Sequence, residues 1–445
     1  MSTLSIFGAG PTGLTLAWIY AKQGRKVVVY DKYKNVGGSW ATKWTEDGLF
    51  TQHSPQILTG AYVNTFDLFD EMKIDKSRFL QPYKSSWTNM DLGAGDVFVL
   101  GLAYMDYMVR NLDHITVNEY LGNSLSDRGQ RAIESVCYLL DGIPPSTMTM
   151  GELLGAFDQT AFYSTLEMSK ASDDEFDGMG TLWKRALDEI GVEFEFNSEL
   201  INIEYDGFDL AANVVKDTNG RHIKVDEIIL ATDPRGTVGI LDRSPDVNWS
   251  WGKNMRYHLT KGMYHSLSIQ FHFDEEGIYV TPETANGTST PFGIICVKVP
   301  DGVRGGGGST LSSTILNLDH VEGMDDESVK RESWRQIRLA NPHLPETPRE
   351  VTIGEGTTWT DQRWEFDLSA AAHTTLGPFE SRGAIPNISI VGPVNDRRFK
   401  ATTMEAAVEA AKLFAGQPIR HSYTLSKTIW LILLLLVLWR ISDKV

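Results

Sequence analysis

The chain is short of cysteine and of positive charge, and each shortage excludes a class of function. Only Cys137 and Cys296 stand among its 445 residues. Without a Cys-x-x-Cys spacing, neither a disulfide framework, nor thioredoxin-type exchange, nor a cysteine zinc site is expected, and no metal is expected. Both thiols read as small buried hydrophobes. Lys plus Arg number 41 against 58 for Asp plus Glu, a formal net charge of −17. Binding to nucleic acid needs clustered positive charge, so no nucleic-acid partner is expected. No cleavable leader is expected either, because "MSTLSIFGAG" runs straight into a glycine turn and cleavage would remove the first strand. The sequons at Asn248, Asn286 and Asn387 are therefore expected to stay unused.

The C-terminus differs from the rest. Ile429 to Trp439 is a run of 11 unbroken apolar residues. As a helix it would span about 17 Å, and Tyr423 to Ile441 about 28 Å, against a hydrocarbon core of about 30 Å. Lys427 and Arg440 lie near the ends, where long side chains snorkel, and Trp430 and Trp439 lie where an aromatic belt would. Residues 424–445 are expected to be a C-terminal membrane anchor, with the catalytic body in the cytosol.

What is present is a nucleotide-binding start. Residues 4–7 read as a strand, Leu14 to Gln23 as a helix stopped by Gly24, and Lys26 to Tyr30 as a buried parallel strand. Residues 58–170 carry helical patterns. Near residue 176 the pattern returns to glycine turn, helix (181–190), Gly191 stop and strands. Residues 255–320 alternate apolar and polar, as an antiparallel sheet with one wet face does. "DGVRGGGGST" (301–310) reads as a hairpin loop, 325–340 as an amphipathic helix, 387–394 as a strand, and 402–416 as a helix capped by Thr402 or Thr403. This order packs compactly as a discontinuous nucleotide domain, with two insertions forming a second domain.

Gly8-x-Gly10-x-x-Gly13 falls between the first strand and helix. Gly8 permits the tight turn, Gly10 clears the path of a pyrophosphate, and Gly13 allows close helix–strand packing. The helix N-terminus offers free N–H groups to the phosphates. Asp31, at the end of the second strand, is placed to accept ribose hydroxyls and disfavours a 2′-phosphate. Gly37-Gly38 in "KNVGGSW" would let backbone approach the middle of a longer cofactor.

"GAGPTGLTLAWIYAKQGRKVVVYDKYKNVGGSW" resembles the FAD-binding N-terminus of the flavin-containing amine oxidase and phytoene desaturase superfamily. "DGMGTLWKRALDEIGVEFEFNSELINIE" and "ISIVGPVNDRRFKATTMEAAVEAAK" are similar to two further flavin segments of that superfamily, in the same order. The resemblance implies an α/β fold: a discontinuous Rossmann-like FAD-binding domain (1–57, 171–240, 380–420) with an inserted α+β substrate domain (58–170, 241–379) and a C-terminal hydrophobic helix. It implies FAD as cofactor, held by Gly8, Gly10, Pro11, Thr12, Gly13, Asp31, Lys32, Gly37, Gly38, Ser39, Trp40, Leu200, Gly392, Thr403 and Met404. The start of the last helix would face the flavin pyrimidine ring, where its dipole stabilises negative charge on reduction.

Several positions depart from the family. Asp31 replaces Glu. Gly392-Pro393 replaces Gly-Asp or Gly-Glu, with Asp396 the nearest substitute carboxylate. Ala406 replaces Gly and is expected to crowd the flavin, and Gln56 replaces a histidine. Catalytic candidates are His53, Lys261 and Lys298. Trp359, Trp364, Tyr257 and Tyr264 are candidate channel walls, and Arg397, Arg398 and Lys400 candidate anion contacts. The resemblance implies an oxidoreductase in which flavin N5 takes a hydride from a C–N or C–C bond of a small molecule, lipophilic if the anchor holds. A redox-neutral flavin mutase or isomerase, and a degenerate flavoprotein fold serving as a membrane-tethered binding module, are the alternatives.

Overall fold

The computed structural model describes residues 2–45, 48–83, 92–160, 166–169, 178–216, 219–285, 287, 290–299, 308–354 and 356–421. The anchor expected at 424–445 and most of the 301–310 loop lie outside them. Among the described residues no helix is long and apolar enough to cross a membrane.

The first unit forms as its pattern predicts. β1 (Thr3–Phe7) leads through the glycine turn into α1 (Pro11–Lys22), and Gly24 (φ 81°) turns the chain back into β2 (Lys26–Tyr30). Proline at the first helical position costs α1 nothing, because that N–H has no helical partner. β3 (Glu193–Glu195), β4 (Glu227–Leu230) and β5 (Ile388–Ile390) complete a five-stranded parallel sheet in the order β5-β4-β1-β2-β3. Ile6, Val27, Val29 and Ile229 are buried on one face under Leu14 and Leu16 of α1. Phe7, Val28, Ile228 and Leu230 are buried on the other, under the antiparallel strands Ser198–Tyr205, Leu210–Lys216 and Asn219–Val225. Burial on both faces is why these strands read as continuous apolar runs.

The helical insert contains α2 (Val63–Glu71), α3 (Ala94–Val109), α4 (Asp127–Asp141) and α5 (Met150–Thr160), with a three-stranded sheet of Ile57–Thr59, Leu80–Tyr83 and Leu166–Ser169. The core crosses the boundary expected at residue 57. Leu58, Leu68, Phe69 and Phe79 join the same cluster as α1, whereas α3 to α5 build a separate core around Val117, Ile133 and Leu153. After α6 (Met179–Glu189) and α7 (Pro234–Asp242), a second antiparallel sheet runs in the order Ile295–Lys298, Thr310–Ile315, Leu267–His272, Glu350–Ile353. One face, with Leu267, Ile269 and Phe271, packs against Trp334 and Ile337 of the helix Asp326–Ala340.

The other face of that sheet is polar, yet it is dry. Ser268, Gln270, His272, Ser312 and Thr314 are all buried. Strand Phe50–Gln52 bonds to three of them: Gln52 Nε2 donates to Ser312 Oγ (2.7 Å), Thr51 Oγ1 to Gln270 Oε1 (3.0 Å), and Ser268 Oγ to the Gln52 carbonyl (2.6 Å). His272 bonds within the sheet, to Thr310 and Thr352. The alternation that suggests a wet face records hydrogen bonding to a covering strand instead. α8 (Met404–Phe414) closes the chain's fold against α1 and α2.

Candidate cofactor and active site

A cleft of about 500 Å³ runs along the carboxyl ends of the parallel strands, where ligands bind in open α/β sheets. Its shape follows from close backbone contacts. A Cβ on Gly13 would lie 1.9 Å from the Gly8 carbonyl oxygen, so only glycine lets α1 start this close to β1. Gly8 has φ +110°, and a side chain there would meet the Ala231 carbonyl at 2.5 Å. Gly10 is different: a Cβ would enter open space, with only the Gly38 Cα within 4.0 Å. Gly10 and Gly38 thus face each other across a gap that side chains would fill, directly before the first N–H groups of α1. That is the geometry a diphosphate needs.

Asp31 ends β2 and lines the cleft. Its Oδ2 accepts the Ala9 N–H (2.7 Å) and its Oδ1 the Tyr33 N–H (2.8 Å), so the shorter acid also ties the glycine turn to the second strand. Gly37, with φ +117°, donates its N–H to the Ala9 carbonyl (2.8 Å) and shapes this turn from behind.

Of the residues expected at the cofactor, Gly8, Gly10, Pro11, Thr12, Asp31, Lys32, Gly38, Ser39 and Trp40 line the cleft. So do Leu200, Gly392 and Thr403, which come from distant parts of the chain. Gly13, Gly37 and Met404 do not. The first two set backbone approach, and Met404 is buried in the core. Thr403 is the N-cap of α8, so this helix starts at the cleft wall.

The departures resolve into specific contacts. Ala406 is buried in the apolar core with Val408 and Ala411, and Ala407, not Ala406, lines the cleft. Asp396 is exposed and off the cleft. The Gly392 N–H is instead held by Asn395 Oδ1 at 2.7 Å. Gln56 donates to the Trp40 carbonyl (2.7 Å), fixing a cleft residue from behind. The catalytic candidates lie away from the cleft lining. His53 Nε2 is 3.1 Å from Ser266 Oγ, Lys261 Nζ donates to Thr375 Oγ1 (2.9 Å), and Lys298 ends a strand of the second sheet. Trp359 and Trp364 meet edge-to-face in a hairpin outside the cleft, and Tyr257 and Tyr264 do not line it either.

One side of the cleft escaped the sequence pattern. Asp233 caps α7, its Oδ1 accepting the Gly236 N–H (2.6 Å) and its Oδ2 the Ser369 N–H (2.7 Å). Burial pushes its carboxyl above the usual range. Arg235, Ser369 and Ala370 line the same wall. The signal for α7 is Asp233-Pro234, a capping acid with proline at the first helical position. Nothing local marks residues 366–371.

Residues 147–417, more than half of the chain, match the family described as flavin containing amine oxidoreductase, and residues 6–72 match an NAD(P)-binding Rossmann-like domain. The chain belongs to the flavin-containing amine oxidoreductase family. Among solved structures, putrescine oxidase bound to putrescine superposes with a TM-score of 0.66 at 12% identity, over 93% of this chain and 98% of that one. Cyclohexylamine oxidase from Brevibacterium oxydans superposes at 0.64 and 16% identity, over 93% and 98%. An oxidoreductase from Methanosarcina mazei gives 0.65 and 14% identity, over 93% and 100%. At these identities the likeness is one of fold. No curated protein sequence matches the chain. Family and cleft agree on an FAD-dependent, amine-oxidase-like enzyme acting on a small molecule.

Proposed function

We propose that this enzyme oxidises a C–N bond of an amine by hydride transfer to flavin N5. The observation that carries the proposal is the continuity of one cleft from the Gly10–Gly38 gap to the N-terminus of α8. FAD, when bound, supplies the hydride acceptor. The protein's part is to bind, orient and exclude water. Asp31, Gly10 and Gly38 would hold the nucleotide half, and Leu200 the adenine end. Trp40, Gly392 and Thr403 would bound the flavin half. The start of α8, at the cleft wall, would offer free N–H groups and partial positive charge to the ring as it becomes negative on reduction.

We also propose that residues 424–445 tether the enzyme to a membrane, with the catalytic body in the cytosol. Support comes from their apolar length and from Val97, Phe98, Leu102 and Val109, which are exposed along α3. A tethered enzyme would meet lipophilic amines most readily.

The purified protein, reconstituted with FAD, should show flavin absorption, and anaerobic mixing with a panel of amines should bleach it. Bleaching by polyprenes but not by any amine would replace C–N with C–C oxidation. No flavin uptake would overturn the proposal.

A further inference from the structure

Behind the flavin end of the cleft lies a set of buried charges that cofactor binding does not require. Asp141 ends α4 and is 0% exposed, and Glu152 lies in the first turn of α5 and is 1% exposed. Both belong to the helical insert. Arg397 reaches them from the loop between β5 and α8. Its guanidinium donates to Glu152 Oε1 (2.8 Å) and Thr402 Oγ1 (3.3 Å), and to the carbonyls of Pro393, Phe399, Lys400 and Ala401. Asp141 Oδ1 accepts the Thr402 backbone N–H at 2.5 Å. Thr402 and Thr403 both line the cleft.

Each carboxyl therefore spends one oxygen on holding this loop. The remaining oxygens, Asp141 Oδ2 and Glu152 Oε2, are buried and find no donor. The two side chains converge on one short segment, Glu152 bonded to the Arg397 guanidinium that also reaches Thr402, and Asp141 bonded to the Thr402 N–H. An ionised carboxylate can only accept, so two ionised groups buried this close repel, and neither orphaned oxygen is satisfied. One proton shared between the orphaned oxygens satisfies both.

Charge balance agrees. Among the described residues, Arg397 is the one cation bonded to the pair, and a pair holding one proton carries one compensating negative charge. Of the other groups facing the cluster, Lys400 Nζ is bonded to Asp113 Oδ1 (2.9 Å). Burial and the Arg397 charge hold His373 well below the usual imidazole range, which leaves it neutral. Burial raises the Tyr264 phenol and the Cys137 thiol, which stay neutral too.

We propose that Asp141 and Glu152 share one proton and together act as positioning residues for the flavin end of the cleft, fixing the Thr402–Thr403 backbone from which α8 starts. The shared proton stands on the cluster alone; the positioning role rests on the FAD site proposed above.

The decisive experiment compares wild type, D141N, E152Q and D141N/E152Q in the full chain reconstituted with FAD. Either single amide can donate to the remaining carboxylate, so net charge and hydrogen bond both survive. The double variant strands Arg397 without a counter-charge. Each single substitution should weaken FAD binding by less than about threefold, and the double by at least about tenfold, a coupling far from additive. The double should also shift the flavin absorption maximum, which a remote packing defect would not do. Infrared difference spectra should show one protonated-carboxyl stretch lost in E152Q and the same loss in D141N, with none further in the double.

Additive effects, or a single amide as damaging as the pair, would overturn the shared proton, as would an infrared band that survives in either single variant. An unshifted flavin spectrum in the double would overturn the positioning role. If wild type takes up no FAD, the site assignment fails, while thermal unfolding of the four proteins and their infrared bands still decide the proton. If the double does not fold, folded singles beside it already show the coupling, and E152A, which cannot donate, should lose what E152Q keeps.

Discussion

At the residue scale, the glycines of the first turn do two different jobs, and substitution separates them. Gly13 is held by packing, because its Cβ would lie 1.9 Å from a backbone oxygen that cannot move without displacing β1. G13A should cost about 2–4 kcal/mol of stability through forced backbone shifts, seen as a lower Tm with or without FAD. Gly10 has φ −79°, which any residue adopts, and open space where its Cβ would go. G10A should leave the Tm of the FAD-free protein within about 2 °C, yet weaken FAD binding on the order of 100-fold, about 2.7 kcal/mol, by blocking the diphosphate path. Flavin titration beside thermal melts checks both. Equal losses in the two variants would mean that the gap at Gly10 is not the cofactor's route. The spacing of the glycines already separates packing at Gly13 from ligand approach at Gly10. What it does not show is that Gly38, 28 residues further on, closes the other side of the gap.

At the element scale, helices were legible wherever a cap and an apolar period coincide. Asp325 accepts the Ser328 N–H (2.8 Å) at the start of Asp326–Ala340. α8 begins after Thr403 as its sequence suggests, though through backbone shape rather than a side-chain bond. The cap of α2 was not legible, because it comes from 340 residues away. Glu405, on α8, is 0% exposed. It accepts the N–H groups of Asn64 and Thr65 (both 2.8 Å), Asn64 Nδ2 (2.8 Å) and Thr65 Oγ1 (2.7 Å). A carboxylate at a helix N-terminus gains from the dipole as well as from these bonds. E405Q replaces one acceptor by a donor pointed at donors. It should lower stability by about 2–4 kcal/mol. Glu405→Asp should recover little, since the shorter side chain cannot reach both N–H groups. Chemical denaturation would show it. A loss under 1 kcal/mol would mean that α2 docks by its apolar face alone.

At the scale of the whole molecule, the sequence pattern shows the order of the pieces but not how they shield one another. The five parallel strands read as apolar runs because they are buried on both faces. The polar stripe Ser268-Gln270-His272 reads as solvent-facing, because period-2 alternation does not distinguish water from a covering strand bearing Gln52 and Thr51. The same burial leaves a pH signature. Burial pushes Glu152 up to about 8 against the pull of Arg397, and Glu409 up to about 7. A carboxyl whose folded pKa is raised binds its proton more tightly folded than unfolded. Its contribution is full below the unfolded value near 4.5 and is lost as pH rises to the folded value. The histidines act oppositely. Burial takes His272 down to about 4, so the unfolded chain binds that proton more tightly, and stability is lost as pH falls below about 6.5. The two slopes offset one another between about pH 4.5 and 6.5, and above that only the carboxyls remain. Unfolding free energy should therefore fall from pH 6.5 to 8. E152Q, which has no proton to lose there, should flatten that fall by about 1.4 kcal/mol per pH unit. Denaturant midpoints at half-unit steps of pH, wild type beside E152Q, measure the difference. Parallel curves would place the Glu152 proton elsewhere and leave Arg397 balanced by two charges rather than one.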